Sequence, residues 1–353
     1  MHHNDLDDLD DLDGSSLSNA ASNSINNSAS TATTVSNNSS AYSNPLVHSA
    51  DMPEGRDDNR PLEEIDPSQK YLVRRLPKQT LIRAGEKDPN IIGLSYNSAR
   101  DELFLADIKN GVVRAMRVRD NAGDLRDVYR APHDAYVWSV CHMSDSDTLL
   151  VCSGEEGPDG EKAEWLVALS RNGSEWREAQ RVQTEGIGEI SCALSDSRVL
   201  IGGSRYIATT YMSLFRVESG PRIARVHRIH VPEVYYSFFA TCATDTLVAM
   251  SYYDNSVRVH RLRGDQLDEL ARIQLKEPLF LLWLADRLLV ADYDSEKKSY
   301  AVIELEVSAT LLERRPELIA TSENISVYSL CAVNDGLAIF DFNSRYILHY
   351  SFA

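Results

Sequence analysis

Leu103-Phe104-Leu105-Ala106-Asp107 is the first of six short apolar runs that recur along the chain. The other five are Leu149-Leu150-Val151-Cys152-Ser153, Val199-Leu200-Ile201-Gly202-Gly203, Leu247-Val248-Ala249-Met250-Ser251, Leu288-Leu289-Val290-Ala291-Asp292 and Leu337-Ala338-Ile339-Phe340-Asp341. Their starts lie 46, 50, 48, 41 and 49 residues apart. A period in this range is typical of a repeated four-stranded unit.

Further strand signals surround each run. Alternating segments such as Val257 to Leu262 follow the runs, and β-prone segments such as Tyr136 to Cys141 and Ser237 to Cys242 precede them. More polar segments, among them Ile223 to Ile229, complete the unit. We label the four strands a, b, c and d, with the recurring run as strand b. Helical signals are nearly absent, and Pro316 interrupts the one segment with helical character, Leu311 to Ile319.

The two ends of the repeat predict how it closes. The sixth unit ends with strand c, Ile347 to Ser351, and leaves no residues for strand d, whereas an unassigned β-run lies between Tyr71 and Ile82. Placing this N-terminal run as the outer strand of the sixth unit removes an exposed sheet edge. The sequence therefore predicts an all-β fold, a six-bladed β-propeller whose N-terminal strand closes the last blade. A seven-bladed propeller with one degenerate blade is the alternative.

One blade carries a family-like motif. The segment Asp107-Ile108-Lys109-Asn110-Gly111-Val112-Val113-Arg114 resembles the NHL signature, in which Asp closes strand b and Asn sits in the turn. The chain is thus similar to six-bladed propellers of the NHL and TolB-like kind over residues 70–353. The match weakens in the fourth blade, where Ser251 and Asp254 take the places of Asp and Asn. WD40 repeats are disfavoured because no Gly-His or Trp-Asp pair recurs at blade spacing.

Composition separates a tail from the propeller. Residues 1–69 carry 13 acidic and two basic side chains, so they hold most of the net charge of -17. Residues 14–44 are dominated by Ser, Asn, Ala and Thr and lack apolar periodicity, which is typical of disorder. Residues 1–69 are predicted to be a disordered acidic tail and linker, and residues 70–353 the folded domain. The leucine-aspartate repeat from Leu6 to Asp13 is interpreted as part of a solubilising tail, with a docking motif as the alternative.

Composition also bounds location and partners. No apolar run is long enough to span a membrane, and the N-terminus lacks the features of a secretory signal, so we expect a cytoplasmic or nuclear protein. Five widely spaced cysteines without a C-x-x-C pair indicate reduced thiols. Basic side chains occur as isolated pairs, such as Arg74-Arg75, which disfavours nucleic acid as a partner. We expect a monomer that binds a protein or peptide, with no membrane partner and no cofactor.

No complete catalytic motif is present. The chain contains no G-x-S-x-G elbow, H-E-x-x-H pair or P-loop. The enzymatic alternative comes from the resemblance, because some six-bladed propellers are calcium-dependent lactonase-like hydrolases with a metal in the central channel. The oxygen ligands that this alternative would use are Glu189, Asp254, Asn255, Asp292 and Asp341, with Asp294 and Asn343 as further candidates. Carboxylates in turns are more often turn-formers.

The favoured function is a non-enzymatic interaction scaffold. In a propeller the b–c and d–a connections emerge on one face, and here they combine aromatic and acidic side chains, which suit a basic peptide or protein. We call this set the acidic-aromatic face. Its members are Tyr136, Trp138, Tyr235, Tyr236, Tyr252, Tyr253, Asp254, Asp292, Tyr293, Asp294, Asp341 and Phe342.

Overall fold

A computed structural model describes most of the chain that follows the tail. The described ranges are 64–65, 71–76, 89–118, 125–132, 135–156, 162–184, 197–202, 209–218, 221–241, 246–284, 287–307, 312–314, 319–320, 326–334, 336–342 and 346–352. All of them lie in the compact unit Asp57–Ala353. The predicted tail lies outside the described residues except for Glu64–Ile65. Within the described ranges, no helix has the length and apolar character that a bilayer crossing needs.

The described residues form antiparallel β-sheets and no helix. The first sheet contains β3 (Ile91–Asn97), β4 (Glu102–Asp107), β5 (Val112–Arg117) and β6 (Arg126–Arg130) in that order. The second contains β7 (Tyr136–Met143), β8 (Thr148–Glu156), β9 (Lys162–Asn172) and β10 (Glu175–Thr184). These eight strands are the a, b, c and d strands that the sequence predicts for two consecutive units.

The next two units are joined in one sheet. Its order is β11 (Arg198–Ile201), β12 (Thr209–Val217), β13 (Ile223–Thr241), β14 (Leu247–Tyr252), β15 (Ser256–Arg263) and β16 (Gln266–Gln274). The sequence predicts two separate strands, Ile223 to Ile229 and Ser237 to Cys242, where the structure has the single strand β13. The first part of β13 pairs with β12 and its second part with β14, and the pairing with β14 shifts register between Tyr235 and Phe239. The strand β13 therefore belongs to both units, because no turn separates the part that pairs with β12 from the part that pairs with β14.

The remaining strands form two sheets. One contains β17 (Pro278–Leu284), β18 (Arg287–Asp294), β19 (Ser299–Val307) and β20 (Leu312–Arg314), with β21 (Ile319–Ala320) also paired to β19. The other has the order β1 (Glu64–Ile65), β2 (Tyr71–Leu76), β24 (Tyr346–Phe352), β23 (Gly336–Asp341) and β22 (Val327–Val333). The segment with predicted helical character thus contributes two short strands, β20 and β21, on either side of Pro316. Strand β2 pairs antiparallel with β24 from Tyr71 opposite Phe352 to Leu76 opposite Ile347.

Burial differs between inner and outer strands for a simple reason. Every residue of β4 and of β23 is buried, because both faces of these strands are covered by neighbouring sheets. The outer strand β10 exposes half of its residues and buries two. This difference explains why the b strands are the continuous apolar runs that reveal the repeat, while the outer strands are polar and harder to recognise.

The buried apolar side chains join strands that are neighbours in the repeat. Phe104 of β4 shares a cluster with Leu149 of β8, and Leu150, on the other face of β8, shares one with Val199 of β11. Similar clusters join β12 to β14, β14 to β18 and β18 to β23. A further cluster joins β23 and β24 to β3 and β4, so the last described sheet packs on the first. Each fully buried Leu, Val, Ile or Phe contributes about 1.5–3 kcal/mol.

Candidate partner-binding face

The predicted face residues lie at one end of their sheets. In β4 and β5, Asp107 is opposite Val112, and in β14 and β15, Ser251 is opposite Val257. The turns between β4 and β5, β14 and β15, β18 and β19, and β23 and β24 therefore share the end at which the b strands finish. The a–b and c–d turns lie at the other end of each sheet.

Three aspartates at the ends of the recurring apolar runs make the same contact. Asp107 Oδ1 accepts the backbone N–H of Asn90 at 3.1 Å. Asp292 Oδ1 accepts that of Glu277 at 2.8 Å, and Asp341 Oδ1 accepts that of Ser326 at 2.8 Å. We call this contact the aspartate clasp.

The clasp includes a reciprocal backbone bond. The residue after each aspartate donates its N–H to the carbonyl oxygen of the residue that the aspartate binds, at 3.1 Å for Ile108 and Asn90 and 3.0 Å for Tyr293 and Glu277. Phe342 does the same to Ser326 at 2.9 Å. A charged acceptor on a backbone N–H makes a stronger hydrogen bond than a neutral one. The repeated aspartate thus fixes the entry of strand a against the end of strand b.

Two of the clasp aspartates are also candidate ligands of the channel metal that the hydrolase alternative requires. Asp292 and Asp341 direct oxygen atoms at backbone N–H groups of their own sheets, and Asp254 binds Ser256 and Arg258. Glu189 and Asn343 lie outside the described residues. In the part of the chain that the structure describes, no three His, Cys, Asp or Glu residues are grouped as a metal site. The described candidate carboxylates therefore have hydrogen-bond partners within the protein and are not grouped as a metal site.

The first blade adds a buried ion pair to its clasp. Arg114 Nη1 lies 3.2 Å from Asp107 Oδ2, with the two side chains 1% and 0% exposed. Asn110 Nδ2 donates to the same Oδ2 at 2.7 Å. The NHL-like motif is thus a connected unit in which Asp107, Asn110 and Arg114 share hydrogen bonds. The sequence gives no direct signal of this pair, since an arginine in a strand is ordinarily expected on the solvent side.

Tyr136 and Trp138 lie at the start of β7. Their rings meet edge to face with centroids 4.9 Å apart, and the Tyr136 hydroxyl is 3.2 Å from Glu164 Oε1. Trp138 is buried and Tyr136 is half-buried. Both rings pack in an apolar cluster that includes residues of neighbouring sheets. Tyr235 and Tyr236 belong to β13, where Tyr235 is opposite Tyr252 of β14.

The tip between β14 and β15 separates adjacent tyrosines. Tyr252 is 2% exposed, and its hydroxyl lies 2.8 Å from His260 Nε2, while the Arg258 guanidinium lies 4.0 Å above its ring. Tyr253 is 45% exposed and is the exposed large apolar residue among those described. Successive side chains point to opposite sides, so one tyrosine anchors the tip and the next is presented to solvent.

Asp254 and Asn255 shape this tip. Asp254 accepts hydrogen bonds from Ser256 Oγ at 2.5 Å and from Arg258 Nη2 at 2.8 Å. Burial would raise the pKa of Asp254, but the hydrogen bonds from Ser256 and Arg258 outweigh it and hold the pKa below its usual value. Asn255 has a φ of 62°, a left-handed conformation that Asn tolerates better than most residues. The tip is therefore an ordered turn that keeps a negative charge beside Tyr253.

The turn after β18 combines two predicted residues with a lysine. Lys276 Nζ forms an ion pair with Asp294, which also accepts the backbone N–H groups of Glu296 and Lys297, each at 3.1 Å. The Lys276 ammonium holds the pKa of Asp294 below its usual value. Tyr293 packs its ring on Tyr300 at 4.7 Å. Similarly, Phe342 stacks on Tyr328 at 4.4 Å and an interplanar angle of 21°.

Tyr300 is expected to titrate late. Burial raises the pKa of Tyr300 to about 12, whereas an unfolded tyrosine titrates near 10. Because the folded pKa is the higher one, the contribution of the neutral phenol to stability is fully present below pH 10 and is lost as the pH rises towards 12. Subtracting the tyrosinate absorbance titration of Tyr300→Phe from that of the native chain should leave one step near pH 12. A difference step near pH 10 in place of the one near pH 12 would contradict this assignment.

No protein-family model matches the chain, and no curated protein matches it either. Solved structures do resemble it. A chain from the crystal structure of the mitotic checkpoint complex aligns with a TM-score of 0.51 at 12% identity, over 86% of this chain and 97% of that chain. The RRP9 WD40 repeats align with a TM-score of 0.50 at 11% identity, over 80% and 97%.

The soluble aldose sugar dehydrogenase from Escherichia coli, in its apo-form, aligns with a TM-score of 0.53 at 10% identity, over 80% of this chain and 100% of that chain. At such identities the likeness concerns the fold and leaves function open. The prediction of an all-β protein built from repeated antiparallel sheets is confirmed, and its fold is that of the β-propellers. The NHL or TolB-like kind stays a prediction.

Proposed function

We propose that residues 70–353 form a six-bladed β-propeller of the NHL or TolB-like kind, closed by β2 as the outer strand of the last blade. Six apolar clusters among the described residues support this, because each joins one strand group to the next and one joins the last group to the first. The pairing of β2 with β24 over six residues supports the closure. Of the predicted tail, residues 1–69, the part before β1 is then a separate disordered segment, whereas Glu64–Ile65 pairs with β2.

We infer that the propeller is a non-enzymatic scaffold that binds a protein or peptide through its acidic-aromatic face. The observation that carries this proposal is Tyr253, an exposed ring on an ordered tip beside the carboxylate of Asp254. Tyrosine is enriched in protein interfaces and among the residues that contribute most to binding. Acidic neighbours favour a basic partner. Three members of the face are buried and do not contact the partner in this proposal: they hold the turns in place. They are Tyr252, Asp292 and Asp341.

The similar solved structures support a scaffold without deciding it. One is named for a protein complex, whereas another is a sugar dehydrogenase. A metal-dependent hydrolase would need carboxylates as metal ligands. In the described residues, Asp254, Asp292 and Asp341 instead accept hydrogen bonds from the protein itself, so we favour binding over catalysis. A monomer in the cytoplasm or nucleus, without nucleic acid, membrane or cofactor, completes the proposal.

The test compares two face variants with one control. Tyr253→Ala removes the exposed ring, and Glu296→Lys alters the charge of the face by reversing an exposed carboxylate two residues after its member Asp294. Arg263→Ala, a 66% exposed residue at the opposite end of β15, is the control. Partners captured with the full native chain are purified, and their affinities for the three variants are measured by calorimetry. We expect each face variant to weaken binding about tenfold or more, and the control to leave it unchanged.

Equal affinity of all three variants for every purified partner would reject the acidic-aromatic face as the binding surface. Metal analysis of the same preparation tests the hydrolase alternative. We expect no change in melting temperature on adding calcium or EDTA. A stoichiometric metal together with a lower melting temperature in EDTA would favour the calcium-dependent lactonase-like hydrolase.

A further inference from the structure

A half-buried carboxylate lies at the acidic-aromatic face without a counter-charge. It belongs to Glu277, the residue immediately before β17. The Glu277 side chain makes no hydrogen bond or ion pair with any residue that the structure describes. Burial raises the pKa of Glu277, and the negative charge of Asp292 raises it further. Because buried charges in proteins are normally paired, Glu277 is a candidate partner for a cation from another molecule.

The backbone of Glu277 is held by two hydrogen bonds. Its N–H donates to Asp292 Oδ1 at 2.8 Å, and its carbonyl oxygen accepts the N–H of Tyr293 at 3.0 Å. The neighbouring lysine is engaged with another residue, because Lys276 Nζ forms an ion pair with Asp294 and this contact raises the pKa of Lys276. The lysine next to Glu277 in sequence therefore already has a carboxylate partner.

Two tyrosine rings lie beside this carboxylate. Tyr293 follows the clasp aspartate Asp292, and Tyr300 is directly opposite Tyr293 in β19. The two rings are 4.7 Å apart at an angle of 42°, and both residues are half-buried, so part of their surface is accessible. Burial is the main cause of the raised pKa of Tyr300, and the charge of Glu277 contributes to it. The carboxylate and the phenol are therefore near each other.

A second pair of rings comes from the neighbouring sheet. The Tyr300 phenol forms a hydrogen bond with the side chain of Ser326, the residue that Asp341 clasps. Tyr328, two residues later, stacks on Phe342 at 4.4 Å, and both residues are half-buried. Two sheets thus bring four aromatic rings to the neighbourhood of one carboxylate. We call this set the tyrosine-carboxylate site, and its members are Glu277, Tyr293, Tyr300, Tyr328 and Phe342.

Aromatic rings beside a carboxylate have the chemistry that recognises a methylated ammonium group. A cation over the face of an aromatic ring is attracted by the quadrupole of the ring. A lysine ammonium is compact and strongly hydrated, and it carries three N–H donors. Three methyl groups replace these donors by apolar surface that can contact the rings. A trimethylated ammonium therefore loses less hydration than a bare one when it enters a half-buried site.

We propose that the tyrosine-carboxylate site binds a trimethylated lysine side chain of a partner peptide, with Glu277 as the counter-charge. The proposal rests on the proposed function, because it gives the basic partner of the acidic-aromatic face a specific chemistry. Two members of the site, Tyr293 and Phe342, are also members of that face. Tyr253 lies in a different turn, between β14 and β15, so its contribution can be tested separately.

The experiment measures the binding of a small probe to the full chain. The probe is Nα-acetyl-Nε-trimethyllysine amide, which is compared with its unmethylated counterpart in ligand-observed NMR titrations. Glu277→Gln removes the charge without breaking a described hydrogen bond, and Tyr293→Leu removes one ring whereas Tyr293→Phe keeps it. Glu306→Gln is the control, because Glu306 is an exposed carboxylate near the other end of β19. Melting curves of all variants confirm that the chains are folded.

We expect the trimethylated probe to bind the native chain about tenfold more tightly than the unmethylated one. Glu277→Gln and Tyr293→Leu should each weaken its binding about tenfold, while Tyr293→Phe and the control should match the native chain. Tyr253→Ala should also bind the probe like the native chain, although it weakens the binding of the protein partner.

Equal affinity for the two probes, or an undiminished affinity of Glu277→Gln, would overturn the proposal. Choline that binds more tightly than the trimethylated probe would also overturn it, in favour of a free small cation. If partner binding depends on Tyr253 but the probe does not bind, the cation site is rejected and the acidic-aromatic face is kept. If partner binding is independent of both Tyr253 and Glu296, the proposed function itself is rejected.

Discussion

Arg114→Met is expected to lower the free energy of unfolding by about 3–5 kcal/mol, because it leaves the carboxylate of Asp107 buried without its ionic partner. The two side chains are 1% and 0% exposed, and the guanidinium also lies 3.4 Å from Asp127 Oδ1. Methionine fills much of the same volume, so the loss reports on charge and hydrogen bonding more than on a cavity. Urea unfolding of the full chain measures the change.

A matched control lies in the same sheet. Arg130 pairs with the other oxygen of Asp127 at 3.1 Å but is 53% exposed. Arg130→Met should therefore cost less than about 1 kcal/mol. A second variant, Asp107→Asn, keeps an oxygen that can accept the N–H of Asn90 and removes the charge. The double variant with Arg114→Met and Asp107→Asn should lose less stability than the sum of the losses of these two single variants. Strictly additive losses would contradict the proposed coupling of Arg114 and Asp107.

Gly111→Ala is the second change with a large expected effect, about 2–5 kcal/mol of lost stability. Gly111 has a φ of +58°, and a Cβ atom at this position would lie 2.3 Å from the Ala135 carbonyl oxygen. Gly111 also accepts the N–H of Ala131 at 2.9 Å. The backbone can therefore hardly shift away from the clash without losing that bond. Thermal and urea unfolding measure the effect.

Two other glycines separate the conformational cost from the clash. Gly173 and Gly264 have φ values of +64° and +63°, and a Cβ at either position meets no atom within 4 Å. Alanine there should cost about 1–2 kcal/mol, the conformational part alone. If Gly111→Ala costs no more than Gly264→Ala, the close approach to Ala135 does not constrain the protein.

The sequence predicts the strands of this fold well where both faces are buried. The b strands are continuous apolar runs because neighbouring sheets cover them, and β4, β14, β18 and β23 lie where these runs predict them. Strand β13 is the main departure. Its two parts differ in polarity, which suggests two strands, but strand pairing depends on partners that are distant in sequence. Propensity alone cannot reveal that one strand changes partner midway.

The candidate sites show the same limit. The turn residues Tyr253 and Asp254 could be predicted as a group, since turns at one end of a repeat recur at fixed spacing. Which of two adjacent tyrosines is buried depends on Arg258 and His260 in the next strand.

The aspartate clasp affects how the sequence of such a repeat can change. Each clasp is complete within its own sheet, so its replacement in one blade does not disturb the clasp of another. In β14 the corresponding residue is Ser251, whose hydroxyl donates to the Pro278 carbonyl oxygen at 2.6 Å and so fastens the neighbouring sheet. A different hydrogen bond can therefore replace the clasp in one blade while the clasps of the other blades stay intact. The residues of a repeated motif can thus be lost from one blade at a time while the antiparallel sheets persist.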